Sequence, residues 1–568
     1  MKITHNNNQL NIADVGLKVS LRGWVSKSRR MGGLIFIDLR DQYGITQLTI
    51  DHESHCYEKA ISLRQEFVVY ITGIVVERKS KNLSLRTGEI EVQIDEIEII
   101  NSSENPPIQV IDTTESLEST RLKYRYLDLR RLEQKKFIIM RSKISQAIRK
   151  ALLSKDFHEL ETPILGKSTP EGARDFLIPS RIYENQFYAL PQSPQIFKQL
   201  YMIAGFEKYF QFARCFRDED LRADRQLEFT QIDIEASFVN QEDIIELIET
   251  IMVFTFEEVL KLKIESPFLK ITYEDALKRY GTDKPDTRFD LLIQELDNSY
   301  KDSDSPLFSQ EKQAYIIVDK LLARKDLEHL SQIHKTHGGN ILTYVKKSTS
   351  GFSGPLTKHL KEEQLLTLLR KKEQTLILST GNFNQVFEPL GTVRSKLGKM
   401  LEIVDNNKFN FLWVTDFPLF EYSQEDERLY ARHHPFTAPQ NEKEMIENPL
   451  KAKSKAYDLV LNGYEIGGGS IRIFKEEVQQ KMFEMLNLNP SEISSKFGFF
   501  TEALRYGTPP HGGIALGLDR LVMLMTRTEN IKDVIAFPKT QSARDLMMDS
   551  PNEVEKNQLK ELGIKVKK

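Results

Sequence analysis

Between Phe210 and Ala236, aromatic and β-branched residues alternate with polar ones on both sides of Asp218–Arg225 (DEDLRADR), a run that is nearly all charge. The period of two predicts a hairpin of two strands joined by that loop. Arg217 and Glu219 then share one side of the first strand, and Phe229, Gln231, Asp233 and Glu235 one side of the second. Alternation alone fits equally a sheet whose polar face meets water. Phe229 argues for a site instead. A ring among an arginine and several carboxylates suits a ligand with a flat base and an anionic tail, the ring stacking and the guanidinium forking onto phosphate as lysine cannot. A nucleotide has those parts.

Other residues would complete such a site if the fold gathers them. Glu171 in the turn TPEGAR, and Ser193, Gln195 and Lys198 in QSPQIFK, suit a small ligand with both an ammonium and a carboxylate, although singly each reads as connector or ordinary surface. Asp458 and Glu465 in YDLVLNGYE fall on opposite faces of an unbroken strand; a turn at Asn462-Gly463 would redirect the second, so that both hold Mg²⁺ through oxygen. Arg432-His433-His434-Pro435 offers two adjacent histidines, a spacing that brings at most one into a pocket. Gly467-Gly468-Gly469 before Ser470 and Arg472 permits close backbone approach, or a plain turn. In YGTPPHGGIALGLDR, Arg520 opens an otherwise apolar helix, Leu518–Met525, and a buried arginine needs an anion, either carboxylate or phosphate.

The elements that must position these residues follow from the chain as a whole. At 568 residues it has room for three to four domains, and 79 Lys+Arg against 82 Asp+Glu excludes wholesale electrostatic capture of nucleic acid while leaving room for a local basic surface. Cys56 and Cys215 lack the spacing of a disulfide framework or a zinc site, the amino terminus lacks a leader pattern, and no apolar run has the ~18 residues of a membrane span. A soluble, cytoplasmic protein is expected. Residues 1–105 read as strands at 19–30, 34–41, 44–51, 66–79 and 89–100 with a short helix near 55–64, the order of an OB-fold barrel. In its second strand Ile35, Ile37 and Leu39 point one way and Phe36, Asp38 and Arg40 the other. A base would stack on Phe36 near Arg29 and Arg30 while Gln47 reads its edge, a use that the barrel favours over a merely exposed ring.

Residues 106–120, opening on Pro106-Pro107, read as a linker. Residues 121–284 begin with a helix marked by Phe137, Ile144, Ile148, Ala151 and Leu152, turn at Asp156, and continue as a strand, Leu160–Leu165, which Pro163 confines to a sheet edge. That edge is either covered or paired across a symmetric interface. From 285 to 410 lies an inserted domain with charged helical faces such as Lys361–Gln374 and no chemical constellation; 411–568 resumes with a strand, Phe411–Phe420.

FRDEDLRADRQLEFTQIDIE resembles the second signature motif of class II aminoacyl-tRNA synthetases, GLDRLVML the third, and the helix ending in ELETPIL the first, with its proline at the dimer interface. TPEGARDFLIPSR, QSPQIFKQL, RHHPFTAP, NGYEIGGGSIR and YGTPPHGGIALGLDR, in order over nearly the whole chain, are similar to the bacterial-type aspartyl-tRNA synthetases, and 285–410 resembles the insertion that bacterial members carry. The resemblance implies a multidomain α/β and β fold: an N-terminal OB-fold β-barrel, a class II antiparallel sheet flanked by helices, an inserted α+β domain and a C-terminal extension. It implies an ATP-dependent homodimeric ligase that makes aspartyl-adenylate from L-aspartate with Mg²⁺ and passes aspartate to the 3′ end of tRNA(Asp).

The roles implied are specific. Arg217 and Arg520 would be catalytic, with Arg217 on the α-phosphate and near aspartate, and Phe229 and Arg520 sandwiching adenine. Asp218, Glu219, Gln226, Glu465, Gly517, Leu518 and Asp519 would also line the ATP site, and Asp458 and Glu465 would hold Mg²⁺. Glu171, Ser193, Gln195 and Asp233 would surround the ammonium of aspartate, and Arg472, supported by Lys198 and His433, its side-chain carboxylate. Arg29, Phe36, Gln47, Arg78 and Glu91 would read the anticodon. Members differ in charging tRNA(Asp) alone or tRNA(Asn) as well, partly around Arg30–Gly33 (RMGG), where Met31 stands, and both ranges stay open. A non-catalytic RNA-binding relative is a third reading, against which Arg217, Asp458, Glu465 and Arg520 all stand.

Overall fold

The computed structural model describes residues 2–169, 172–297, 300 and 305–566. It divides into two compact units, Met1–Lys143 with Asp220–Leu227 and Thr526–Lys568, and Ile144–Glu219 with Glu228–Met525.

In the first unit, strands Lys18–Met31, Leu34–Arg40, Ile45–Asp51, Val68–Glu77 and Ile90–Asn101 close a barrel in which the fifth strand lies between the third and fourth. Helix Tyr57–Ser62 falls between the third and fourth in sequence, completing the OB-fold order. Alternation sends Leu21, Val25, Ile35, Ile37, Leu39 and Leu48 fully into the core. Arg40, turned the other way, is nevertheless buried. Its guanidinium meets Glu66 at 2.7 Å, Arg130 meets the same carboxylate at 2.8 Å, and Arg130 lies over the Trp24 ring. Two cations thus compensate one buried anion, as the low dielectric requires. The connection after Asn105 is packed down rather than solvated, with Ile108 and Val110 against Leu127. Buried Arg125 pairs with Asp128 and donates to the carbonyls of Ile535 and Ala536, which ties the C-terminal segment into this unit.

The second unit is built on an eight-stranded sheet. Its order is Leu269–Thr272, Phe411–Thr415, Ala456–Leu461, Tyr464–Ile471, His511–Gly517, Glu228–Ser237, Lys208–Phe216, His158–Glu159, with parallel pairing only at the two ends. The predicted hairpin is present, Asp233 lying opposite Gln211. Its first strand ends at Phe216, so Arg217 and Glu219 sit on the extended chain just beyond it. Helix Leu132–Leu153 presents Ile144, Ile148 and Leu152 fully buried.

Two expected strands differ, and one strand stands where none was expected. Leu160–Leu165 is not a strand: pairing stops at Glu159, apart from the Leu160 N–H on the Phe210 carbonyl at 3.1 Å, and Pro163 has no N–H with which to continue. Phe411–Phe420 breaks at Asp416, whose φ of 57° turns the chain, before a second short strand at Phe420–Ser423. The small-residue run after Tyr506, by contrast, contains the strand His511–Gly517 near the sheet's centre. It fits there because a Cβ on Gly513 would lie 2.1 Å from both the Glu235 carboxylate and the Ile234 carbonyl.

The inserted stretch forms a separate five-stranded sheet, ordered Gln294–Glu295, Lys312–Val318, Gln374–Gly381, Ile341–Ser348, Gly351–Ser353. Helices Arg324–Thr336 and Phe383–Met400 contribute to its cores. Lys361–Gln374, expected to be helical, is so only over Glu362–Leu368; Gln374 already begins a strand. Where this module joins the main sheet, buried Arg394 donates to the carbonyls of Asp286, Phe289 and Leu291. Asn410 binds Thr287 and Asn462.

Candidate active site

The strand Glu228–Ser237 and helix Gln195–Ile203 bring four charged side chains together in the sheet's interior. Lys198 Nζ lies 3.0 Å from Asp233 Oδ1 and 3.3 Å from Glu235 Oε2, and Glu235 takes a two-pronged bond from Arg472, 2.9 Å at Nε and 3.2 Å at Nη2. All four are at least 95 % buried. Burial raises the Asp233 carboxyl despite Lys198; it would raise Glu235 too, but the Arg472 and Lys198 charges together hold Glu235 below its usual range. The Arg472 fork has five donors, of which Glu235 takes two, Ser470 a third at 2.7 Å and the Gly513 carbonyl a longer fourth at 3.5 Å. Asp233 Oδ2 and Gln195 Nε2 are buried with no hydrogen-bond partner among the described residues, and Gln195 follows Ser193, whose Oγ accepts its N–H at 3.4 Å. These are complementary to a ligand with an ammonium and an anionic end. The water-facing alternative for this strand face is excluded by its burial.

His433 and His434 part company. His433 Nε2 is 3.7 Å from Asp458 Oδ1, a carboxylate. His434 instead faces Arg472 and Lys198; burial first, then those two charges, push its imidazole down to about 3 and keep it neutral. Glu171 lies outside the described residues.

The second-motif residues belong to the same hairpin as Asp233 and Glu235. Arg217 lies 5.1 Å from the Phe229 ring centroid, with its Nε buried and unpartnered among the described residues. Asp218 pairs backbone to backbone with Arg174 and is followed by Glu219. Arg520 donates to the Glu465 carbonyl from helix Leu518–Thr526, which begins directly after Gly517. Asp519 beside it takes the Thr230 N–H at 2.7 Å, pinning the helix start to the strand that carries Phe229. The Phe229 ring therefore lies beside one arginine, and Gly517, Leu518 and Asp519 set where Arg520 emerges. Gln226 falls in the first unit, where it clasps the Lys539 backbone at 2.9 and 3.2 Å.

The turn at Asn462-Gly463 does redirect the chain: both residues have positive φ, 52° and 85°, and Val460 pairs with Glu465 while Asp458 faces Gly468. A Cβ placed on Gly468 would lie 2.9 Å from Asp458 Oδ1 and 3.5 Å from Glu465 Oε1. Two hard oxygen donors thus converge on a cradle that a side chain would fill, which fits Mg²⁺. Burial and the neighbouring Glu465 charge raise Asp458; burial works the same way on Glu465, but Lys284, with Arg520 and His433, together hold it below its usual range.

In the barrel, Arg29 lies opposite Phe36 in the register and reaches Asp38 at 3.3 Å and Gln47 at 3.5 Å; Gln47 in turn donates to Glu91 at 2.7 Å. Arg78 is buried beside Glu91 and Asp38, its guanidinium lowered by burial against those two charges. All five predicted readers therefore share one face, and Met31 stands 67 % exposed at the end of the same strand as Arg29. The barrel also gathers His55, Cys56 and Glu96, a grouping the cysteine spacing did not predict and which the hydrogen bonds of Glu96 to both neighbours account for. No disulfide joins the two cysteines.

Residues 117–541 match the family described as tRNA synthetases class II (D, K and N). The chain belongs to that family. Residues 19–100 of this class II synthetase match the OB-fold nucleic acid binding domain. It is 47% identical over 584 residues to a protein named aspartate–tRNA ligase from Shouchella clausii (strain KSM-K16), covering 100% of this chain and 99% of the relative. It is 47% identical over 581 residues to one named aspartate–tRNA(Asp/Asn) ligase from Bacillus cereus (strain AH187), covering 99% and 98%. Among solved structures it is similar to asparaginyl-tRNA synthetase from Pyrococcus horikoshii complexed with asparaginyl-adenylate, with a TM-score of 0.59 at 21% identity over 93% of this chain and 96% of that one, a likeness of fold. The synthetase is a ligase of this class, and no helix among its described residues is long and apolar enough to cross a membrane.

For a class II synthetase, the residues that sequence reasoning left without a role are Glu235, His434 and Lys284. Glu235 stood on the same strand face as Asp233, two residues on, and only its depth gives it a task. Lys284 carries no motif signal; its position follows from the fold.

Proposed function

We propose that this synthetase is an ATP-dependent aspartate–tRNA ligase that forms aspartyl-adenylate and transfers aspartate to the 3′ end of tRNA(Asp). The observation that carries the reading is the buried quartet of Lys198, Asp233, Glu235 and Arg472, where two fixed cations sit beside an under-satisfied carboxylate. Asp233 and Gln195, with Ser193 and Glu171, would take the ammonium; Lys198 and the remaining Arg472 donor would take the side-chain carboxylate. Asparagine leaves those donors partly unpaired, a penalty of roughly 10²–10⁴-fold.

In the first step the α-carboxylate attacks the α-phosphorus of ATP and pyrophosphate leaves. Arg217 would meet the α-phosphate, and Phe229 and Arg520 would stack adenine between them, with Asp218, Glu219 and Gly517–Asp519 completing the nucleotide site. Mg²⁺, held by Asp458 and Glu465, would supply charge neutralisation on the leaving group. In the second step the 3′-hydroxyl of tRNA attacks the mixed anhydride and AMP leaves, with no side-chain nucleophile required.

Residues 1–105 would read the anticodon through Arg29, Phe36, Gln47, Arg78 and Glu91, with 106–120 connecting to the catalytic halves, 121–284 and 411–568, and 285–410 inserted between them. A homodimer is supported by Ile164 and Leu165, each about half exposed (52% and 51%), next to Pro163 beyond the sheet edge. The cytoplasm is the proposed compartment. Charging of tRNA(Asn) as well is the second reading, favoured by the name of the Bacillus cereus relative and by the exposed Met31. Aminoacylation of both purified tRNAs, alongside aspartate-dependent ATP–pyrophosphate exchange, tests the whole. Exchange with charging of tRNA(Asp) alone supports the first reading, charging of both the second, and absent exchange removes the catalytic reading.

A further inference from the structure

The carboxylates that converge on Gly468 already have a cation at hand. Lys284 lies where the chain leaves the main sheet for the inserted module, and its Nζ is 2.9 Å from Glu465 Oε2. Arg520 and His433 also act on Glu465 through their charge, but from contacts other than its carboxylate: His433 lies 3.7 Å from Asp458, and Arg520 donates to the Glu465 backbone carbonyl. Lys284 is thus the ammonium on Glu465, and its side chain is 38 % exposed, so it has room to swing.

Its backbone has less freedom. The Lys284 N–H binds Thr282 Oγ1 at 3.1 Å, and two residues on the Asp286 carbonyl is held by Arg394 at 2.9 Å. A mobile charge therefore hangs from a fixed stem. The ammonium holds Oε2 while Oε1 faces the cradle with Asp458, so Lys284 and an oxygen-seeking divalent cation would meet one carboxylate from its two oxygens, and two cations on one carboxylate repel.

We propose that Lys284 is a displaceable positioning residue of the metal site. Its ammonium keeps Glu465 aimed beside Asp458, and a divalent cation reaching the two carboxylates drives it off toward the anionic nucleotide. This rests on the reading of Asp458 and Glu465 as metal ligands. The site then loads by exchange of one cation for another, and the displaced one stems from the root of the inserted module.

The test uses the full chain without nucleotide, titrated with Mn²⁺ and followed by the spin-resonance signal of the free ion. Lys284→Gln is expected to bind Mn²⁺ about tenfold more tightly than the unaltered protein, because the competitor is gone. Lys284→Arg keeps the charge and is expected to stay near the unaltered value. Glu465→Gln is expected to weaken binding at least about tenfold. A gain of affinity is an outcome that damage to the fold does not produce. If Lys284→Gln binds Mn²⁺ no more tightly while Glu465→Gln still weakens it, the displacement is wrong and the carboxylate reading survives. If Glu465→Gln leaves Mn²⁺ binding unchanged, the carboxylate reading fails and takes the proposal with it.

Discussion

Glu235 is fully buried and answers to both Arg472 and Lys198. Removing its charge leaves buried Arg472 without a carboxylate and Lys198 with Asp233 alone, and breaking a buried pair costs about 3–5 kcal/mol. Glu235→Gln is therefore expected to lower denaturant stability by that order and to raise the KM for aspartate, because the Arg472 fork loses the partner that aims it. A loss below about 1 kcal/mol with unchanged KM would show that Arg472 is held by Ser470 and the backbone alone. At this scale much of the site was legible. Phe229 among charges and Arg520 before an apolar run drew attention because such residues conflict with their surroundings. The division of labour between His433 and His434 was not legible, since adjacent residues point apart and only the packed structure shows which carboxylate or cation each one meets.

Elements were legible where a period was long. The barrel strands and the helix around Ile144–Leu152 follow from alternation and 3.6-residue spacing, whereas Leu160–Leu165 and Phe411–Phe420 were cut short by single residues, Pro163 and Asp416, that local backbone geometry governs. The strand His511–Gly517 was hidden because its defining property is lack of side chains, which leaves no period to read. The inserted sheet offers an element-scale test. His334, on helix Arg324–Thr336, is 1 % exposed and bonded to Ser379 Oγ of strand Gln374–Gly381 at 2.8 Å. Burial lowers its imidazole from 6.5 to about 4. The unfolded chain therefore takes up the proton first, so the stabilisation from neutral His334 is complete above pH 6.5 and drains away as pH falls toward 4, by up to ~3 kcal/mol. Between those limits the unaltered protein is expected to lose stability with acid more steeply than His334→Gln, and parallel curves would contradict this.

At the scale of the molecule, the OB-fold barrel and the eight-stranded sheet belong to different compact units. Phe36→Ala is expected to weaken tRNA charging on the order of tenfold, the worth of one stacked base, while leaving ATP–pyrophosphate exchange intact. Loss of exchange in that variant would mean that the barrel contributes to the first step as well. One joint described above bears on how such a chain changes over generations. Arg394 binds the carbonyls at the module's entry, and Asn410 at its exit bonds both Thr287 and the Asn462 that begins the carboxylate turn. The module is spliced in at the turn of the hairpin that carries Asp458 and Glu465. A lineage cannot shed it by a clean deletion: the same event that shortens the gene unseats Asn462, so loss of the module and repair of that turn must be inherited together.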